Sequence, residues 1–216
     1  WLMCGAMFAL PLLDCFAKIL GENEMSSGQI VLFRFSFQAL ILLPILFWKN
    51  QLSITFKHFW LQLIRAVAMA TATFCFFVAV RYMPLADSIA IFFVEPMILT
   101  ILSLLFLGEV VRLRRITAIV IGFVGAIIVI RPQFSNVGLI ALFPLITAAS
   151  FATYMLITRY FSEKISPVQM QFQMGLIITP IMLFFVLLFP NIDGFQMTAP
   201  NSYEWQLLIA LGLVAT

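Results

Sequence analysis

The chain has 216 residues, of which 63% are hydrophobic and 10% charged, with a formal net charge of +3. Its mean hydropathy of +1.11 excludes a single soluble core, because too few polar residues remain to cover one. The apolar runs are continuous and longer than the alternating segments of about ten residues that a β-barrel needs. An all-α polytopic membrane protein is expected. Eight apolar segments follow in order: about Leu2–Leu20, Ile30–Trp48, Phe59–Val80, Ser88–Leu107, Ile116–Ile130, Val137–Ile157, Val168–Phe189 and Trp205–Thr216. At ~1.5 Å rise per residue, a run of about twenty crosses the ~30 Å hydrocarbon layer. The fifth is short, and its flanking Arg115 and Arg131 can snorkel to the two surfaces. The eighth stops at Thr216, too soon to span, so both ends read as cut. The chain starts at Trp1, already apolar, with no basic stretch or cleavage site of a signal peptide before the first segment.

Loop charge sets an expected orientation. The second, fourth and sixth connections carry Lys49 and Lys57, then Arg112, Arg114 and Arg115, then Arg159 and Lys164. The odd-numbered connections carry only Arg81 and Arg131, beside Glu22, Glu24, Asp193 and Glu204. The positive-inside rule therefore places the even loops and the N-terminus in the cytoplasm. Short connections predict that successive helices are antiparallel neighbours. A faint internal echo links Pro11 and Phe16 to Pro144 and Phe151, and Pro44 to Pro180. With an odd number of helices per copy, the second copy enters the membrane inverted, as in many carriers.

Five ionisable groups lie well inside apolar segments: Asp14, Lys18, Arg34, Arg65 and Glu95. Counting from the outer surface at ~1.5 Å per residue places Asp14, Lys18, Arg34 and Glu95 in one outer-half layer, about 3–10 Å deep. Arg65 falls in the inner half. A structural set of ion pairs would join Asp14 to Lys18 at i,i+4, and Arg34 to Glu95. A substrate site would use the same two anions and two cations to hold a zwitterion, with Glu95 or Asp14 titrating if protons drive the cycle. Thr147, Ser150 and Thr153 or Tyr154 form a hydroxyl stripe on the sixth segment, either lining the path or bonding carbonyls one turn back. Gln169 and Gln173 share a face where solvent can satisfy them.

Pro11, Pro44, Pro96, Pro144 and Pro180 read as interior breakers, and Pro11, Pro96 and Pro144 as hinges of a mobile bundle. Pro96 follows Glu95 directly and frees a carbonyl one turn back. Gly122 and Gly125, with Ala118, and the alanines at 66, 68, 70 and 72 suit close helix packing. Asp87 reads as a helix N-cap, and Glu109 as a structural partner of Arg112, Arg114 and Arg115. Cys4, Cys15 and Cys75 lie in apolar runs and suggest neither a disulfide nor a metal site. There is no HExxH, GxSxG or cysteine–histidine pair, and the one histidine, His58, sits in a basic loop, so no enzyme, metal or cofactor is expected.

The run RYMPLADSIAIFFVEP, then LFLGE and RRITAIVIGFVGAIIVIRP, resembles the end of the first repeat of the EamA family, in the drug/metabolite transporter superfamily. Arg81, Tyr82, Pro84, Leu85, Ala86, Asp87, Pro96, the Leu107-Gly108-Glu109 turn, the two glycines and Arg131-Pro132 carry it. Asp14, Lys18 and Arg34 fit the first two helices of that family. The resemblance implies a ten-helix bundle of two inverted five-helix repeats, here cut to about eight helices. Residues 1–133 would form the first repeat, and 134–216 part of the second. It further implies a multi-pass protein of a bacterial-type inner membrane that moves a small polar or amphoteric metabolite, amino-acid-like or drug-like. Export by alternating access is the expected direction and mechanism. Small-molecule substrate and lipid bilayer are the expected partners, without nucleic acid; proton coupling and a homodimer stay open. The alternatives are a non-transporting structural or regulatory membrane subunit and a passive metabolite channel.

Overall fold

The computed structural model describes residues 2–23, 25–48, 59–108, 113–130, 138–162, 165–192 and 194–215. Among them every regular element is helical: α1 Leu2–Glu22, α2 Ser27–Trp48, α3 Phe59–Tyr82, α4 Leu85–Phe92, α5 Glu95–Leu107, α6 Leu113–Ile130, α7 Leu142–Phe161, α8 Pro167–Leu188 and α9 Ser202–Val214. A 3₁₀ turn over Gly138–Ala141 leads into α7. Five stretches are long and apolar enough to cross a bilayer: Ser27–Trp48, Phe59–Tyr82, Leu85–Leu107, Leu139–Phe161 and Pro167–Leu188. The chain is a multi-pass integral membrane protein. Lys49, Lys57, His58, Glu109, Arg112, Arg131, Lys164, Glu24 and Asp193, on which much of the expected orientation rests, lie outside the described residues.

Helix ends follow local chemistry. Ser166 caps α8 by accepting from the Gln169 N–H, and Pro167 occupies the first position, where no amide is needed. At the start of α9 the Asn201 N–H donates to Glu204 Oε2 at 2.7 Å, the glutamate half of a capping box. Gly108 ends α5 at φ +63°, a left-handed conformation that glycine adopts without strain. Asp87, expected to cap the fourth segment, does not: Pro84 is the cap residue and Asp87 lies in the first turn of α4. A proline with fixed φ starts the helix, and the carboxylate still meets the positive end of its dipole.

Two compact units emerge, one of Trp1–Ala66 with Ser162–Thr216, the other Val67–Phe161. In the first, α2 packs most extensively against α8, then α9, while its packing on α1 is slight. Ala39, Leu42, Leu46 and Phe172 form the α2–α8 core. A Cβ on Gly175 would lie 3.0 Å from the Ala39 Cβ and 3.1 Å from the Phe35 carbonyl. A Cβ on Gly212 would lie 2.5 Å from the Phe37 Cβ, where Trp205 also meets Phe33 edge-on at 5.2 Å. α2 thus packs more on α8 and α9 than on α1, the helix before it in sequence. Short loops fix direction, but backbone approach across small residues decides who packs with whom in lipid. The small residues that matter are Gly175 and Gly212. Nothing lies within 4 Å of a Cβ built on Gly122 or Gly125, which were expected to mark a packing face.

In the second unit α7 packs on α5 and α4, and α6 touches both α4 and α5. Ala79, Met83 and Ile91 form its core with Ile140, Ala141 and Phe143. Phe76, Phe92, Phe151 and Tyr154 make a string of rings with centroids 6.2, 5.6 and 5.6 Å apart.

Candidate functional site

The fourth segment, expected as one kinked helix, is two. α4 ends at Phe92 and α5 begins at Glu95, with the Val94 N–H bonded to the Ile91 carbonyl and the Met97 N–H to that of Val94. Pro96 has no N–H and its ring crowds the carbonyl four residues back, so the chain takes a tighter turn before it. Glu95 becomes the first residue of α5, at the positive end of the helix dipole. It is half-buried, and its Oε1 is shielded without a hydrogen-bond partner among the described residues. Two cavities in this unit, of about 180 and 230 Å³, are lined almost wholly by apolar side chains. Thr100 is the exception, and its hydroxyl is already donated to the Pro96 carbonyl at 2.7 Å. Neither cavity has the polar groups a hydrophilic solute needs.

On α7, Thr147 is buried and donates to the Phe143 carbonyl at 2.9 Å and the Ala72 carbonyl at 3.3 Å, tying α7 to α3. Thr153 and Thr158 bond carbonyls one turn back, at 2.9 and 2.7 Å. Ser150 is half-buried and Tyr154 buried within the ring string. Pro144 lies in the first turn of α7, and Pro96 in that of α5, rather than in helix interiors. Both helices start later than hydropathy implied, and a first turn tolerates proline. Pro44 and Pro180 are interior to α2 and α8. Pro11 falls within α1, with its side chain outside the described ones.

Asp14, Lys18 and Arg34 belong to the first unit. Lys18 pairs at 3.9 Å with Glu22, not with Asp14, and both ends of that pair are exposed. Arg34 is 8% exposed, its guanidinium carbon 5.2 Å from the Phe35 ring centroid. Arg34 on α2 and Asp14 on α1 lie in the same unit.

Further buried polar residues of this unit are Arg65, Gln62, Gln173 and Gln38, of which the sequence had not marked Gln62 and Gln38. Arg65 is 1% exposed and donates to the Met170 carbonyl on α8 at 2.6 Å. Three residues earlier, Gln62 donates to Gln173 at 2.9 Å. Gln173 is buried and partnered by protein, correcting the expectation that solvent satisfies it. Gln38 is equally buried, one turn beyond Arg34 on α2.

The family model described as the EamA-like transporter family matches residues 1–131. A riboflavin transporter of Brucella anthropi is 28% identical over 175 residues, covering 81% of this chain and 61% of that protein. An S-adenosylmethionine uptake transporter of Rickettsia felis is 28% identical over 203 residues, covering 92% of this chain and 65% of that protein. The chain thus spans somewhat less than two thirds of these relatives. A solved crystal structure shares the fold at a TM-score of 0.66 and 15% identity, over 97% of this chain and 74% of its own.

Proposed function

This chain belongs to the EamA-like transporter family, and from that premise we propose that the protein is a secondary carrier of a small polar or amphoteric metabolite. Arg34 carries the reading. A guanidinium 8% exposed inside a membrane span is a functional-site candidate by default. Arg34 would hold an anionic group of the substrate and Asp14 a cationic one. Glu95, at the break between α4 and α5, is the carboxylate proposed to titrate if the cycle is proton-coupled. Ser150, Tyr154, Thr147 and Lys18 are further proposed contacts. Pro96, at that break, is the first of the proposed hinges, with Pro11 and Pro144.

Two inverted repeats, 1–133 and 134–216, rocking about the substrate would give alternating access. The family resemblance supports an inner-membrane location, and the loop charges support a cytoplasmic N-terminus. The relatives named above carry riboflavin and S-adenosylmethionine, the second inward. Both are polar metabolites, which supports the substrate class. Export is the direction expected from the family resemblance, and the sign of net flux decides it. Solute counterflow in proteoliposomes holding the full-length protein tests the reading: a carrier shows saturable, trans-stimulated flux.

A further inference from the structure

Gln38 is the twelfth of the 22 residues of α2, so it lies about 15 Å from either end, at the depth of the bilayer midplane. Its side chain is 1% exposed, and its Oε1 is shielded with no hydrogen-bond donor among the described residues. An orphaned buried acceptor costs about 1–3 kcal/mol, and native structures keep few of them. The sides of α2 are otherwise assigned. Ala39, Leu42 and Leu46 pack with Phe172 of α8, while Phe33 and Phe37 pack on Trp205 of α9. At 100° per residue, Arg34 and Gln38 project together from a third side. One helical turn, about 6 Å, separates them along the axis.

We propose that Gln38 is a further ligand-contacting residue, whose Oε1 accepts a hydrogen bond from an N–H or O–H of a zwitterionic metabolite. The charged head of that metabolite lies at Arg34 and Asp14, and the donor that Gln38 accepts from lies one turn deeper. The inference rests on the carrier reading above and adds a specificity element to it. An acceptor at the midplane selects substrates with a donor at that distance. Those lacking one leave the amide unpaired, which is how buried polar groups discriminate.

The test uses the purified full-length protein and its Gln38→Leu variant, with Gln38→Met as a second unbranched apolar replacement should the first fail to fold. The probes are S-adenosylmethionine and the twenty common amino acids, with riboflavin as an uncharged comparison. Without ligand, the variant is expected to melt at or above the wild-type temperature, because an orphaned polar group has been removed. At least one zwitterionic probe stabilises the wild type, and its apparent Kd weakens about tenfold in the variant. Three results would overturn the proposal: an unliganded variant that melts several degrees lower, no zwitterionic probe that stabilises the wild type, or equal affinity in both proteins. Flux of a probe that Gln38→Leu leaves unchanged sinks this inference alone. Absence of wild-type flux for every probe sinks the carrier reading with it.

Discussion

The side-chain amide of Gln29 pairs with the backbone of Thr198, donating from Nε2 to its carbonyl at 2.7 Å and accepting from its N–H at 3.0 Å. The Thr198 hydroxyl adds a third bond to Gln29 Oε1 at 3.2 Å. Alongside, the Gly28 N–H donates to the Gly194 carbonyl at 2.8 Å and the Ser26 hydroxyl to that of Gln196 at 2.6 Å. The connection between α8 and α9 is thereby strapped across the start of α2. Gln29→Ala removes the central pairing and is expected to destabilise the protein by about 2 kcal/mol, from two or three net hydrogen bonds. Limited proteolysis between residues 190 and 201 reads the strap directly. Faster cleavage in the variant is expected, and an unchanged rate would show that the strap is not what holds the segment.

Glycine substitutions separate packing from propensity by sign. Gly212→Ala puts a methyl 2.5 Å from the Phe37 Cβ, and such overpacking costs about 1–3 kcal/mol. Gly122→Ala and Gly125→Ala meet nothing within 4 Å, so each gains helix propensity of up to about 1 kcal/mol. Thermal melts in detergent should fall for the first and hold or rise for the other two. A fall at all three would mean that α6 is a packing face after all.

Arg65 ties α3 to α8 through the Met170 carbonyl. Arg65→Ala should cost about 1.5–3 kcal/mol, the range for a hydrogen bond from a charged donor. Arg65→Lys is expected to recover little of it, because an ammonium lacks the guanidinium's fixed fork. Denaturation of both variants measures the difference. Full stability in Arg65→Ala would show that this bond does not hold α3 to α8.

Hydropathy placed the spans well because length and apolarity are what a bilayer demands. α2 and α8 were expected over Ile30–Trp48 and Val168–Phe189 and run Ser27–Trp48 and Pro167–Leu188. What hydropathy reports is depth, and depth does not name a neighbour. Lys18 and Asp14 share a helix and lie four residues apart, yet Lys18 turns to Glu22. Its long chain reaches the exposed carboxylate near the surface without being desolvated. Gln38 and Gln173 went unmarked as buried polar residues because an uncharged amide barely disturbs an apolar run. The turn at Phe93–Val94 was half legible: Pro96 announced a disruption, and only the backbone shows that it ends one helix and starts another.

Glu95 sits at that turn with a shielded oxygen lacking a partner among the described residues. If it titrates during transport, Glu95→Gln should flatten the pH dependence of flux and lower the rate about tenfold, the scale of an intramembrane charge that matters. Flux against external pH, at matched protein density, decides it. An unchanged profile would leave Glu95 as a helix-terminus carboxylate without a part in the cycle.

The most direct measurement is counterflow of radiolabelled solute into proteoliposomes containing the full-length protein or its Arg34→Gln variant. Saturable, trans-stimulated uptake that Arg34→Gln reduces by about tenfold or more is the predicted result, given the cost of keeping that charge in the span. Linear uptake without trans-stimulation would identify a channel, no uptake a structural subunit, and full activity in the variant would contradict a site built on Arg34.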